Sequence, residues 1–273
     1  MEKEKKKIKV SAIQMESVIA DKKANFKKIE KLIAENIQPD TDILILPELW
    51  NVGWACNKFV DAAEEIKNSP TITLLSNIAQ NYKINILGGS FVLKENDKLY
   101  NTCPVINREG NIIAQYRKNH LYSYYDDSEG SYITRGDNPV MVNIEGIEYG
   151  LTICYDIRFP EIYRAYRKAG ADVLVNMAAW PLSRAIHWDS LTQARSVENQ
   201  TYMVALTQTG TLPTGAKNLG HSLIYDYSGN IIDEIDTQEG IITAVLDIEA
   251  MYEFRDKCTV LKDIQESYEV VSK

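Results

Sequence analysis

Three reactive side chains close three apolar stretches of this chain. Glu48 ends "ILILPE", Lys118 ends "IIAQYRK" and Cys154 ends "YGLTIC". In α/β sheets ligands gather just beyond the carboxyl ends of the strands, so side chains at such ends can converge. A thiol with a pKa near ~8.5 is mostly protonated at neutral pH and needs a base or a nearby cation to act as a nucleophile. A glutamate can take that proton, hand it to a leaving amine and then activate water. A lysine suits the negative oxygen of a tetrahedral intermediate, aided by the backbone N–H after the nucleophile, here that of Tyr155. Cys, Glu and Lys thus form a working set for acyl transfer without histidine.

Each residue also has an ordinary reading. A cysteine after an apolar strand is commonly inert core, and on local grounds Cys154 stands evenly between core and function. Its setting in "YGLTICYDIRFPEIYRAYRKAG" is strand, turn, helix, which can push a nucleophile into the open. A helix N-terminus following it would favour thiolate. Glu48 after Pro47, taken alone, reads better as a helix cap or surface charge, and Lys118 in "YRKNHLY" as a solvated cation.

The elements that would position them alternate, with hairpins in the middle. "KIKVSAIQM" reads as a first strand and "DKKANFKKIEKLIAENI" as a helix with Phe26, Ile29, Leu32, Ile33 and Ile37 on one face. "TDILILPE" is wholly apolar before its end, as expected when both faces of a sheet are covered. Ser69 and Pro70 start a helix in "SPTITLLSNIAQNYK". "INILGGSFVL", "LYNTCPVIN" and "IIAQYRK" follow as strands, joined by the turns "KENDK" and "REGN". "VMVNIEGIEYGLTIC" is a hairpin folded at Glu145-Gly146, followed by a helix at 160–169 and the strand "ADVLVNMAA". A helix from Ser183 to about Asn199 precedes "TYMVALTQTG", the hairpin "HSLIYDYSGNIIDEID", and a last strand and short helix in "GIITAVLDIEAMYEFRDK". Residues 258–273 carry no clear period. About a dozen strands would make a single open sheet curl or split, so two sheets with helices outside are expected.

Composition narrows the partners. The 273 residues are 45% hydrophobic and 25% charged, ordinary for a globular chain, and no Gly/Ser/Pro-rich linker divides them, so one domain over 1–273 is expected. A net charge of -8 gives no support for nucleic acid or anionic lipid as a partner. The start, "MEKEKKKIKV", lacks a signal-peptide core and reads as a solvated lead-in. No stretch approaches the roughly 18 apolar residues of a membrane span. Cys56, Cys103, Cys154 and Cys258 are scattered without metal spacing, which suggests free thiols in a reducing cytoplasm. No metal or other cofactor is expected.

"LILPELW", "YRKNHLY" and "GLTICYDIRFPE" resemble, in this order, the signature segments of the nitrilase-like carbon–nitrogen hydrolases. The resemblance continues through "HWDSLTQARSVENQTYMVA" and "GHSLIYDYSGNIIDE". It implies a catalytic triad of Glu48, Lys118 and Cys154, and an α-β-β-α four-layer sandwich that forms a homodimer or higher homo-oligomer by packing helical layers together, with the tail from about 258 to 273 a candidate for the dimer contact. It also implies a second glutamate, Glu129, that orients Lys118 and the substrate; the alternative is an exposed loop acid beside Asp126 and Asp127. "CYDIRFPEIYR" with "HW", "AR" and "ENQ" is most similar to the ω-amidase branch, which implies a small carboxylate-bearing amide as substrate. A nitrile, an N-carbamoyl amino acid or a longer amide would use the same machinery, and a non-catalytic scaffold relative would lack a triad member. Trp180 is expected as a pocket wall, with core packing close behind. Arg158 is expected to form an internal ion pair with Asp156 or Glu161, the alternative being a contact with the substrate carboxylate. Arg195 and Glu198, about one helical turn apart, are expected to pair structurally near the dimer contact. His120, His187 and His221 are expected in structural roles.

Overall fold

The computed structural model describes residues 7–124, 127–265, 267 and 269–272; the lysine-rich lead-in over residues 1–6 lies outside them. Two sheets lie face to face. The first has the order β15 (Gly240–Asp247), β1 (Lys7–Gln14), β2 (Ile43–Ile45), β3 (Asn85–Leu87), β5 (Lys98–Ile106), β4 (Phe91–Glu95), with β6 (Ile112–Arg117) on the other edge of β5. The second runs β14 (Ile231–Ile235), β13 (Ser222–Tyr225), β12 (Tyr202–Thr207), β11 (Val173–Ala178), β10 (Ile147–Ile153), β9 (Met141–Ile144). β1–β2–β3 and β10–β11–β12 are parallel, and their partners at the margins are antiparallel.

Strand alternation builds the layers. Ile43, Ile45 and Leu87 turn inward and share one core with Leu151, Ile153, Val175 and Met177 of the second sheet. Leu44, Leu46 and Ile86 turn outward onto Ile29 and Ile33 of α1 (Lys22–Asn36) and Leu75 and Ile78 of α3 (Pro70–Tyr82). A strand buried on both faces must be apolar throughout, which is why these segments show no polar alternation. Tyr163 and Tyr166 of α4 (Pro160–Ala169) and Trp188 of α5 (Ala185–Asn199) belong to the shared inter-sheet core's continuation on the far side, completing the α-β-β-α sandwich. The expected caps form: Ser69 Oγ accepts from Ile72 N–H at 3.0 Å, with Pro70 first in the helix. Two tight hairpins place their two turn residues at positive φ, Asn96-Asp97 and Glu145-Gly146, the geometry that matches strand twist.

One expected strand breaks in two, and the break serves the site. "INILGGSFVL" separates into β3 and β4, end to end along the same edge of β5, around Gly88, Gly89 and Ser90. Gly89 has φ +64°, and a Cβ there would lie 2.1 Å from the Pro47 carbonyl oxygen. That close approach seats the turn carrying Glu48: Ser90 N–H donates to Pro47 O at 3.1 Å, Leu49 N–H to Ser90 Oγ at 3.0 Å and Trp50 Nε1 to Gly88 O at 2.9 Å.

Candidate active site

Four side chains from four separated segments meet at one end of the sandwich. Glu48 lies three residues past β2, Lys118 directly follows β6, Glu129 opens a short 3-10 turn (Glu129–Ser131), and Cys154 directly follows β10. Lys118 Nζ donates to Glu48 Oε1 and to Glu129 Oε2, each at 2.8 Å, and all three side chains are wholly buried. Glu48 Oε2 accepts the Ala179 N–H at 2.9 Å, just past β11. Glu129 Oε2 also accepts the Tyr122 N–H at 2.9 Å, which folds its loop back on itself. A buried acid ion-paired to lysine is not the exposed loop acid that was the alternative for Glu129. Nor are Glu48 and Lys118 the solvated charges that each suggested in isolation.

Cys154 occupies the bend between β10 and a 3-10 turn (Cys154–Arg158), at φ +47°. Left-handed backbone at a non-glycine residue persists only where the surroundings impose it. Asp156 imposes it. Its Oδ2 accepts the Ile153 N–H at 2.9 Å and the Tyr116 hydroxyl at 2.6 Å, and its Oδ1 accepts the His120 N–H at 2.9 Å and faces His120 Nδ1 at 2.8 Å. From behind, Arg195 Nη2 donates to the Ile157 carbonyl at 2.7 Å.

Electrostatics set the resting protonation. Burial pushes the Cys154 thiol well above the ordinary range, and the facing Glu48 carboxylate pushes it further, against the pull of Lys118. The helix-favoured thiolate expected from the sequence is therefore not the resting form: desolvation and a neighbouring anion outweigh a short 3-10 turn. Glu48 is raised by burial, with Lys118 opposing and the Glu129 charge adding to the rise. Burial works against the Lys118 cation, but its two carboxylates and the Cys154 sulfur hold it well above its ordinary value. The result is a thiol held towards its neutral form beside a carboxyl that burial raises and the Lys118 cation pulls back down. Cys103, by contrast, is pushed up to about 12 by burial and lies in the inter-sheet core, the inert case.

In front of the cluster opens a cavity of about 830 Å³ whose walls include Cys154, Tyr155, Trp54, Trp180, Arg158 and Arg184. Trp180 is at the strand end, as expected, its indole N–H donating to Arg184 O at 2.9 Å. Among the described residues no ion pair joins Arg158 to Asp156 or Glu161. Asp156 is committed to Tyr116, His120 and the elbow, and the Arg158 guanidinium lies 4.9 Å from the centre of the Trp180 ring and 3.3 Å from His187 Nδ1, on the cavity wall. Arg195 and Glu198 do pair, at 2.9 Å. His120 stacks on Phe159 with ring centres 3.8 Å apart, and His221 pairs with Asp189 at 3.0 Å, both structural. Among the described residues, no three His, Cys, Asp or Glu side chains are grouped to hold a metal. The sequence reading missed Asn101, Asp156 as the elbow's anchor, and the Ala179 N–H. The one signal for Asn101 was a polar residue inside a strand.

The fold and this cluster define a class of protein, and comparison with known proteins names it. The carbon–nitrogen hydrolase profile matches residues 9–256, and the chain belongs to that family. Among relatives, the 2-oxoglutaramate amidase of Bacillus subtilis (strain 168) is 36% identical over 256 residues, covering 94% of this chain and 97% of that one. The omega-amidase NIT3 of Saccharomyces cerevisiae is 31% identical, covering 97% and 95%. The crystal structure of Saccharomyces cerevisiae Nit3, a member of branch 10 of the nitrilase superfamily, superposes with a TM-score of 0.83 over 92% of this chain and 94% of that one, at 31% identity.

Proposed function

We propose that this protein hydrolyses the terminal amide of a small carboxylic acid, releasing ammonia through a thioester on Cys154. The observation that carries the reading is the buried Glu48–Lys118 pair set beside the Cys154 thiol at the floor of a cavity. Glu48 takes the thiol proton as sulfur attacks the amide carbon. Lys118 spends two of its three N–H donors on Glu48 and Glu129, and the third turns to the developing oxyanion with the Tyr155 N–H. Glu48 then protonates the leaving nitrogen, and ammonia departs. Water, deprotonated by the same carboxylate, attacks the thioester; the acid leaves and the thiol regains its proton. Glu129 holds Lys118 in place throughout. Arg158 and Arg184 on the cavity wall support a substrate whose far end is a carboxylate, as do the amidase names of the relatives. The test is ammonia release from a panel of ω-amides, matched nitriles and N-carbamoyl amino acids, with Cys154→Ala as control. A mass shift on Cys154 equal to the acyl group supports the reading; full activity in the alanine variant ends it.

The chain acts in this reading as one domain over 1–273 and as a homodimer in a reducing cytoplasm. Exposed Ile186 and Val197 on α5 support pairing through the helical layer, with the segment from 258 alongside, and four free cysteines support the compartment. Sedimentation of Ile186→Lys against the parent tests the dimer.

A further inference from the structure

Asn101 sits inside β5, 1% exposed, in a strand whose neighbours Cys103 and Val105 are core. Its Nδ2 donates to Glu48 Oε1 at 2.9 Å and to Glu129 Oε1 at 3.0 Å. Its backbone carbonyl accepts the Lys118 N–H at 2.9 Å. Lys118 Nζ joins the same two carboxylates, so Glu48, Lys118, Glu129 and Asn101 close a ring. Exchanging the amide oxygen and nitrogen would set a carbonyl oxygen against two carboxylate oxygens, which fixes the orientation. In that orientation Asn101 Oδ1 is buried without a hydrogen-bond partner. A side chain kept for packing alone would shed that penalty by becoming apolar at the same size.

We propose that Asn101 is a positioning residue for proton transfer: with Lys118 it occupies Oε1 of Glu48, leaving Oε2 as the oxygen that takes the Cys154 proton. The inference rests on reading Glu48 as the base. Oε1 has two lone pairs and two donors, whereas Oε2 receives the Ala179 N–H and keeps a lone pair. The proton leaves Sγ and bonds to Oε2, while the S–H electron pair stays on sulfur and forms the bond to the amide carbon. Oε1 keeps both donors throughout, so the transfer breaks no hydrogen bond. A second cation in place of Asn101 would hold the carboxylate too firmly ionised to accept a proton. An apolar residue would leave the two carboxylates bridged by Lys118 alone, with one donor fewer on each. A neutral amide with two donors bridges them and still lets Glu48 cycle.

The test compares Asn101→Leu and Asn101→Ser with the parent enzyme; the serine variant keeps a polar side chain should the leucine variant not fold. Carbon-13 labelling of glutamate lets the Glu48 carboxyl titration be followed by NMR, assigned by its loss in Glu48→Gln. Losing a donor to the ionised form moves the Glu48 midpoint up by about one unit. The acid limb of kcat/KM on an ω-amide moves with it, kcat falls about tenfold or more, and KM stays within about twofold. An unmoved Glu48 midpoint overturns the inference. A moved midpoint in an enzyme whose parent hydrolyses no amide of the panel sustains the positioning role and sinks the amidase reading instead.

Discussion

Glu48 Oε2 accepts a hydrogen bond from the Ala179 N–H at 2.9 Å, across 131 positions of chain. Glu48 arrives from the first sheet and Ala179 from the second, so the bond closes only when the sheets dock. A second bond spans the same gap, Gln208 Nε2 to the Glu48 carbonyl at 2.6 Å. The Glu48 carboxylate is therefore held by the inter-sheet contact itself, which ties the geometry of the site to the integrity of the core.

Replacing Glu48 by glutamine separates hydrolysis from thiol reactivity. Amide turnover falls by about a thousandfold or more, because the base is gone. The thiol moves the other way. Glu48 is the largest charged influence raising it, and with that charge gone Lys118 and the Ala179 N–H lower it with only burial opposing. Each unit of fall gives about tenfold more thiolate at neutral pH, partly offset by weaker nucleophilicity, so iodoacetamide labels Cys154 about threefold faster per unit. Labelling rates measured from pH 6 to 9 in both proteins check this; slower labelling in the variant contradicts it.

Lys118→Met leaves two buried carboxylates with no cation between them, bridged only by the neutral Asn101 amide, and costs about 3–5 kcal/mol at neutral pH. The cost is pH-dependent with a definite sign. Glu48 is already raised in the folded protein, and losing the cation raises it further. A carboxyl raised on folding contributes stability that is complete below its unfolded value of 4.5 and lost as pH rises through its folded value. Urea unfolding should therefore find the variant nearest the parent in acid and furthest from it at neutrality. A deficit that is constant across that range would refute the account.

Asp156→Asn tests the elbow. Four donors converge on this carboxylate, and an amide group would point its own N–H groups at two of them. A loss of about 3 kcal/mol is expected, with kcat falling because Cys154 leaves its left-handed backbone. Denaturant midpoints and kcat measured together decide it; unchanged stability would show that Asp156 does not hold the bend.

Arg158→Met tests substrate reading at the cavity wall. An ω-amide bearing a carboxylate should lose about 10–100-fold in kcat/KM, the worth of one charged hydrogen-bonded contact. The matched amide without a carboxylate should change little. Equal losses on both substrates would return Arg158 to a structural role beside Trp180 and His187.

Much of this site was legible along the chain. Strand patterning located Glu48, Lys118 and Cys154 near strand ends, and chemistry made them one set. What local reading reversed were the environments. Lys118 and Glu129 sit in polar stretches that suggest solvent, yet both are wholly buried, because Lys118 pairs directly with Glu129 on one side and with Glu48 on the other. Along the chain the near partners for Arg158 are Asp156 and Glu161, but Tyr116 and His120 from a distant segment engage Asp156. Asn101 carried no chemistry in its own strand and acquires it only through residues 53 and 28 positions away.

The sequence by itself determined which groups can react and which segments become strands, since apolar periodicity and residue chemistry are local properties. Tertiary structure alone decided which groups touch, which are dry, and which proton sits where. Those depend on desolvation and on charges brought within a few ångströms by the closure of two sheets, and no window along the chain contains both partners.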